Sequence, residues 1–167
     1  MNKWLELFKN DDYLGIKKYI KTGGDITETN DAGEGVLACA LRARCDMDTL
    51  MLLIESGADI FHTDDEGVSV LDIAITYDNL EMVRYIIEQG RDVNEVTRRS
   101  GFTPLMAAAC YGRVEIAKYL LSQGASQDAR DAKGFTAIDF ARKMNKKSVL
   151  NLLDYDENNP KNTAYAR

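Results

Sequence analysis

The sequence predicts an all-α solenoid, a stack of about five short helix-turn-helix units. Three patterns predict it. Gly33, Gly67, Gly101 and Gly134 recur at intervals of 34, 34 and 33 residues, and Gly23, Gly57, Gly90 and Gly124 at 34, 33 and 34. A leucine-type column (Leu37, Leu71, Leu105, Ile138) and an alanine column (Ala40, Ala74, Ala108, Ala141) follow the first glycines at the same period. Apolar pairs close each unit at Tyr19-Ile20, Leu53-Ile54, Ile86-Ile87 and Leu120-Leu121. A fixed period of about 20–50 residues marks repeats that bury one continuous core only when stacked.

Each element has a local cause. Gly101-Phe102-Thr103-Pro104-Leu105 reads as a turn running into a helix start. Thr103 can accept from the free N–H groups of that start, and Pro104 suits the first helical position, where its missing N–H is no loss. Ser69 and Thr136 take the same capping place. Asp72 and Asp139 follow three residues later, where a carboxylate returns the capping contact and meets the positive helix end. The alanine column fits where two helices approach closely. A second helix follows, carrying Val83, Ile86 and Ile87, or Ile116, Leu120 and Leu121, at helical spacing. The second glycine column supplies a left-handed cap at its end. Neither helix is long enough to stand alone.

Periods of 33 or 34 fit both ankyrin and tetratricopeptide repeats, and the order decides between them, because the turn and Thr-Pro-Leu precede the first helix. Residues 101–125, GFTPLMAAACYGRVEIAKYLLSQGA, with Gly57-Ala-Asp-Ile60 and Gly90-Arg-Asp-Val-Asn94, resemble the ankyrin repeat. The resemblance covers about residues 3–154. On it we divide the chain into an N-terminal cap (1–29), full repeats at 30–63, 64–97 and 98–130, a C-terminal cap (131–154) and a polar, flexible tail (155–167). Residues 1–154 are then one domain. In the first cap Trp4, Leu5, Leu7 and Phe8 are expected to face inward. In the last, Lys143, Lys146 and Lys147 are expected to form a polar outer face, as terminal repeats require.

Composition narrows the function. With 21 Lys and Arg against 27 Asp and Glu, the net charge is −6. Phosphate contacts and anionic lipids both call for a basic surface, so neither a dedicated nucleic-acid binder nor a polybasic membrane anchor is expected. Cys39, Cys45 and Cys110 are an odd set with no disulfide framework, which points to a reducing compartment and a cytoplasmic, monomeric protein. The longest apolar run, Leu50 to Ile54, is far short of a membrane span, and Met1 to Asn10 carries charges inside an amphipathic segment rather than an apolar signal core.

Catalytic patterns are weak. His62 is the one histidine of the chain, and its loop position reads as plain surface. HExxH, paired CxxC and P-loop motifs are missing from the sequence. Asp154, Asp156 and Asn158 have calcium-loop spacing, but Asn159 and Tyr165 stand where glycine and glutamate are needed. The Asp64-Asp65-Glu66 cluster reads as a solvated turn. Cys39 is expected in the core, Cys45 in an inter-helix connection, and Cys110 on the exposed side of a first helix with Arg113 as its nearest cation. No cofactor and no enzymatic activity are expected.

Two units depart from the pattern. The first full repeat has Gly35-Val36 in place of Thr-Pro and an extra residue around Cys45-Asp46-Met47. The loop from Asn94 to Ser100 is one residue longer, with Arg98 and Arg99 where an Asp usually begins the turn. The resemblance implies that a partner protein sits on the concave face formed by finger tips and first helices. The positions of that face are Asp65, Glu66, Tyr77, Arg99, Ser100, Phe102, Tyr111, Lys133, Phe135 and Met144. Exposed Tyr, Phe and Arg are the types enriched at interface hot spots. A second class the resemblance allows is carriage of a small ligand such as haem, as an accessory to a haem enzyme such as catalase.

Overall fold

The computed structural model describes residues 1–153. The expected tail from 155 and the rejected calcium loop lie outside the described residues. Among the described residues ten helices follow one another in pairs: α1 (Asn2–Lys9) with α2 (Tyr13–Lys21), α3 (Val36–Arg42) with α4 (Met47–Glu55), α5 (Val70–Thr76) with α6 (Leu80–Glu88), α7 (Pro104–Tyr111) with α8 (Val114–Ser122), and α9 (Ala137–Lys143) with α10 (Lys147–Leu150). First helices stack on first helices, α1 on α3 and so on to α9, and α8 packs between α6 and α10. Two isolated antiparallel bridges, Thr29 with Gly35 and Thr63 with Ser69, pin the bases of the first two fingers.

The alanine column lies in the seam. Ala40, Ala74, Ala108 and Ala141 have no exposed surface, and Leu37, Leu71 and Leu105 are buried beside them. Ser69 and Asp72, Thr103 and Met106, and Thr136 and Asp139 form reciprocal capping boxes at the starts of α5, α7 and α9. The methionine thioether replaces a carboxylate in the middle case, at 3.4 Å from the Thr103 N–H. Helix α3 has Gly35 at this place and no side-chain cap.

Each pair turns through a left-handed residue. Asp11, Arg44, Asp78, Gly112 and Asn145 all have φ between 47° and 68°. Glycine fills this column only once, so a glycine search does not find it. The extra residue of the first full repeat is Cys45. It sits between the turn residue Arg44 and the N-cap Asp46, where the other pairs have turn and cap adjacent. It is buried against the first pair, its thiol 3.6 Å from the Phe8 carbonyl.

Two packing expectations are corrected. Leu5 is 45% exposed, whereas Trp4, Leu7 and Phe8 are buried. The buried three are spaced to share one helical face, and Leu5 is rotated off it. Lys146 is half-buried, not fully on an outer face. Its stem lies so close to Gly112 that a β-carbon there would meet Lys146 Cδ at 2.9 Å, so it packs back onto the preceding pair with its aliphatic carbons against the turn.

Candidate partner-binding face

Successive fingers are fastened to one another before any partner arrives. The Asp65 N–H donates to the Ala32 carbonyl at 3.2 Å, and the Ala132 N–H to the Ser100 carbonyl at 2.8 Å. Side chains reinforce the joints. His62 Nε2 lies 2.7 Å from the Gly33 carbonyl, and the Thr97 hydroxyl donates to the Gly67 carbonyl at 2.6 Å. His62 is therefore half-buried in an interface between fingers and not the plain surface residue expected. The sequence showed its loop but not the finger beneath it.

Three fingers share one lock. Asn30, Asp64 and Asp131 each accept two backbone N–H bonds with one side-chain oxygen, from Ala32 and Glu34, Glu66 and Val68, and Lys133 and Phe135. Arg98 occupies this place in the third finger and has no acceptor to offer. Its guanidinium turns inward instead. The Nε lies 3.4 Å from Asp72 Oδ2, and the group stands 5.0 Å above the centre of the Phe102 ring. The arginine pair expected at this finger is thus divided, with Arg98 built into the scaffold and Arg99 exposed.

The expected face separates into three groups. Asp65, Glu66, Arg99, Ser100 and Lys133 are exposed at finger tips. Tyr111 and Met144 are 42% and 47% exposed at the ends of α7 and α9. Phe102 and Phe135 are half-buried and meet the ring of Phe140, at 5.0 Å edge-on and 5.8 Å tilted. Both rings thus pack against α9, Phe135 from its own finger and Phe102 from the finger before it. Tyr77 is half-buried too, its hydroxyl 3.5 Å from an Arg42 nitrogen and its ring 5.3 Å from the Arg44 guanidinium.

Sequence reading passed over Phe140 and over the contacts that several cations make. Lys143 sits 5.7 Å from the Phe135 ring centre. Lys146, Lys143 and Arg98 all bear on the Cys110 thiol, although burial outweighs them and pushes its pKa up. Arg113, the cation expected beside Cys110, donates from Nη2 to the Thr76 carbonyl on the preceding pair. No spacing rule marks a contact such as that of Arg113 with Thr76, because it joins neighbouring repeats. Among the described residues no cluster of His, Cys, Asp and Glu could hold a metal ion, and no helix is long and apolar enough to cross a membrane.

A stack of preorganised fingers above short first helices, with polar and aromatic tips, defines a repeat scaffold. Two models of ankyrin repeats match it, one of three copies over residues 92–163 and one of many copies over residues 37–87. The chain belongs to the ankyrin-repeat family. The E3 ubiquitin-protein ligase hecd-1 of Caenorhabditis elegans is 39% identical to it over 84 residues. That match covers 48% of this chain, which spans 3% of the ligase's length. Ankyrin repeats are in general protein-protein interaction modules and non-enzymatic scaffolds.

Proposed function

We propose that this protein binds another protein through the concave face made by its finger tips and first helices, catalysing no reaction itself. The observation that supports this best is the exposure of Tyr111, Met144 and Arg99 beside a fixed platform of Phe102, Phe135 and Phe140. Finger-to-finger bonds hold that platform before binding, so little conformational entropy is lost on association. Asp65 and Glu66 on one finger and Arg99 on the next set the partner's orientation. Residues 1–154 act as one domain, monomeric and in a reducing cytoplasm, with the three thiols unpaired.

Small-ligand carriage has less behind it. One open recess of about 520 Å³ is lined by Asp46, Asp48 and Glu55 beside Tyr13, Met51 and Leu52. Those carboxylates repel the propionates of a haem. The ring nitrogen Nε2 of His62 is already engaged at the Gly33 carbonyl.

The test is a paired capture from native lysate read by mass spectrometry. One bait is the unaltered protein; the other carries Arg99→Glu, Tyr111→Ala and Met144→Ala, all at exposed positions. A prey retained by the first and lost by the second is the expected result. Equal retention on both baits, with the fold verified by circular dichroism, refutes the face.

A further inference from the structure

The charge of the chain is divided along the solenoid. Residues 98–147 carry ten Lys and Arg against four Asp and Glu, a net of +6. Residues 1–97 carry nine against twenty, a net of −11. Within the basic segment three of the four acids are engaged, and the fourth, Asp128, is exposed in the loop after α8. Asp131 holds its own finger by accepting the Lys133 and Phe135 N–H groups, and Asp139 is buried at the start of α9, accepting from Thr136. Glu115 pairs with Lys118 on α8. Arg99, Lys143 and Lys146 make no ion pair among the described residues. Lys143 stands 5.7 Å from the Phe135 ring centre, Lys146 lies against Gly112 at the end of α7, and Arg98 lies over the Phe102 ring, and the charges of all three reach Cys110 on α7.

Screening decides which charge a partner meets. At physiological salt the Debye length is about 8 Å, so exposed charges farther apart than that are largely hidden from one another. A segment lying over α7 and α9 therefore meets the local cations and not the acidic remainder of the stack. Beside those cations stand Tyr111 and Met144, the two large apolar side chains most exposed on this face. A thioether adapts its shape to an apolar guest, and a tyrosine offers a broad, stiff contact surface.

We infer that the partner of this face is an acidic peptide segment, rich in Asp or Glu and carrying one aromatic or large aliphatic anchor, seated across α7 and α9 between Arg99 and Lys146. Its carboxylates pair with Arg99, Lys143 and Lys146, and its anchor lies on Tyr111 and Met144. This rests on the concave-face reading given above and adds the chemistry of the guest. The acidic first fingers keep the segment at the basic end, because like charges disfavour any seating shifted toward Asp65 and Glu66. A nucleic-acid strand is disfavoured for the same reason, since its charge continues past the basic end into the acidic one.

The test is a display selection of random twelve-residue peptides on the full chain, with the best sequences resynthesised as fluorescein-labelled probes for anisotropy. The expected pool is acidic, with a recurrent aromatic or leucine. Its binding weakens as salt is raised from about 50 to 300 mM. In Arg99→Glu/Lys143→Glu/Lys146→Glu it weakens by roughly tenfold or more, each exposed pair contributing modestly. The Gln version of the same triple shows a smaller loss, and it keeps the test valid if the Glu version does not fold. A neutral or basic pool that is nevertheless lost in Tyr111→Ala/Met144→Ala overturns the acidic guest and leaves the face standing. A pool indifferent to both sets of substitutions overturns both. A selection that enriches nothing overturns the acidic guest, and so does a thymidine dodecanucleotide that displaces an acidic probe at equal concentration.

Discussion

Asp11 offers the most direct measurement of how one repeat holds the next. It sits in the turn between α1 and α2, in the left-handed region at φ 47°. Its carboxylate reaches the following pair. Oδ1 accepts from the Thr49 hydroxyl at 2.7 Å and Oδ2 from the Asp46 N–H at 3.0 Å. Thr49 has no exposed surface. Removing its charged acceptor strands a buried hydroxyl, at a cost of about 2 kcal/mol. The Asp46 N–H is on an exposed residue and can turn to water, so its loss adds only about 0.5 kcal/mol. Alanine tolerates the left-handed conformation less well than aspartate, which adds roughly 1 kcal/mol. Asp11→Ala is therefore expected to lower stability by about 3.5 kcal/mol. Asp11→Asn, which keeps an acceptor and the turn preference, is expected to lose about 1 kcal/mol. Urea unfolding followed by circular dichroism reads both. A double-mutant cycle of Asp11→Gly with Thr49→Val isolates the pair, because glycine relieves the turn, and a coupling of about 1–2 kcal/mol is expected. Additive losses in that cycle, or an alanine variant no weaker than the asparagine one, would refute the account.

Three further outcomes follow from the same structure. Burial pushes the Cys39 thiol up to about 11 and the Cys45 thiol up to about 12, with Glu34 adding to the first and Asp11 to the second. Both groups are protonated in the folded and unfolded chain up to about pH 8.5–9, where their contribution to stability is complete. Above that only the unfolded chain ionises, so stability falls as pH rises toward 11 and 12. The decline should flatten in Cys39→Ala/Cys45→Ala; identical slopes in urea titrations at pH 8 to 11 would contradict it. Native-state amide exchange should be faster in α3, which lacks a side-chain cap, than in α7, which has Thr103 and Pro104; the reverse order would show that the contacts around Asp11 and His62 outweigh capping. Gly67→Ala should cost well over 1 kcal/mol and Gly90→Ala only about 1 kcal/mol. Both have positive φ, but a β-carbon on Gly67 would lie 2.2 Å from the Thr97 carbonyl, whereas Gly90 faces open space. Equal midpoints in thermal melts would remove the distinction.

Residues that act within one repeat were legible from the chain. Thr103, Pro104, Ser69 with Asp72, and Thr136 with Asp139 carry their reasons within three residues, and each caps the helix it precedes. The tips Asp65, Glu66 and Arg99 are exposed as their loop positions suggested, whereas the same reasoning failed for His62 and Arg98. Residues that act between repeats were not legible. Arg98 and Arg99 read alike as sequence, yet one lies between Asp72 and Phe102 while the other faces solvent. Nothing local distinguishes Phe102 as a docking residue from Phe102 as packing against Phe140, because the deciding ring is 38 positions away. The left-handed column at the inter-helix turns escaped notice for a related reason. Asp, Arg and Asn fill it as well as Gly, and only the backbone shows that they do the same thing.

The sequence by itself determined the period, the helix-turn-helix unit, the capping chemistry and the family, because each depends on interactions a few residues long repeated at a constant interval. The tertiary structure decided which side chains of that repeat remain exposed. Thirty-odd residues separate a side chain from its neighbour on the next finger, and whether a cation such as Arg98 or Arg113 is consumed in joining two units or left at the surface depends on geometry across that gap. Stacking fixes that geometry: of the positions expected on the face it leaves Arg99, Tyr111 and Met144 exposed and draws Phe102 and Phe135 into packing against Phe140.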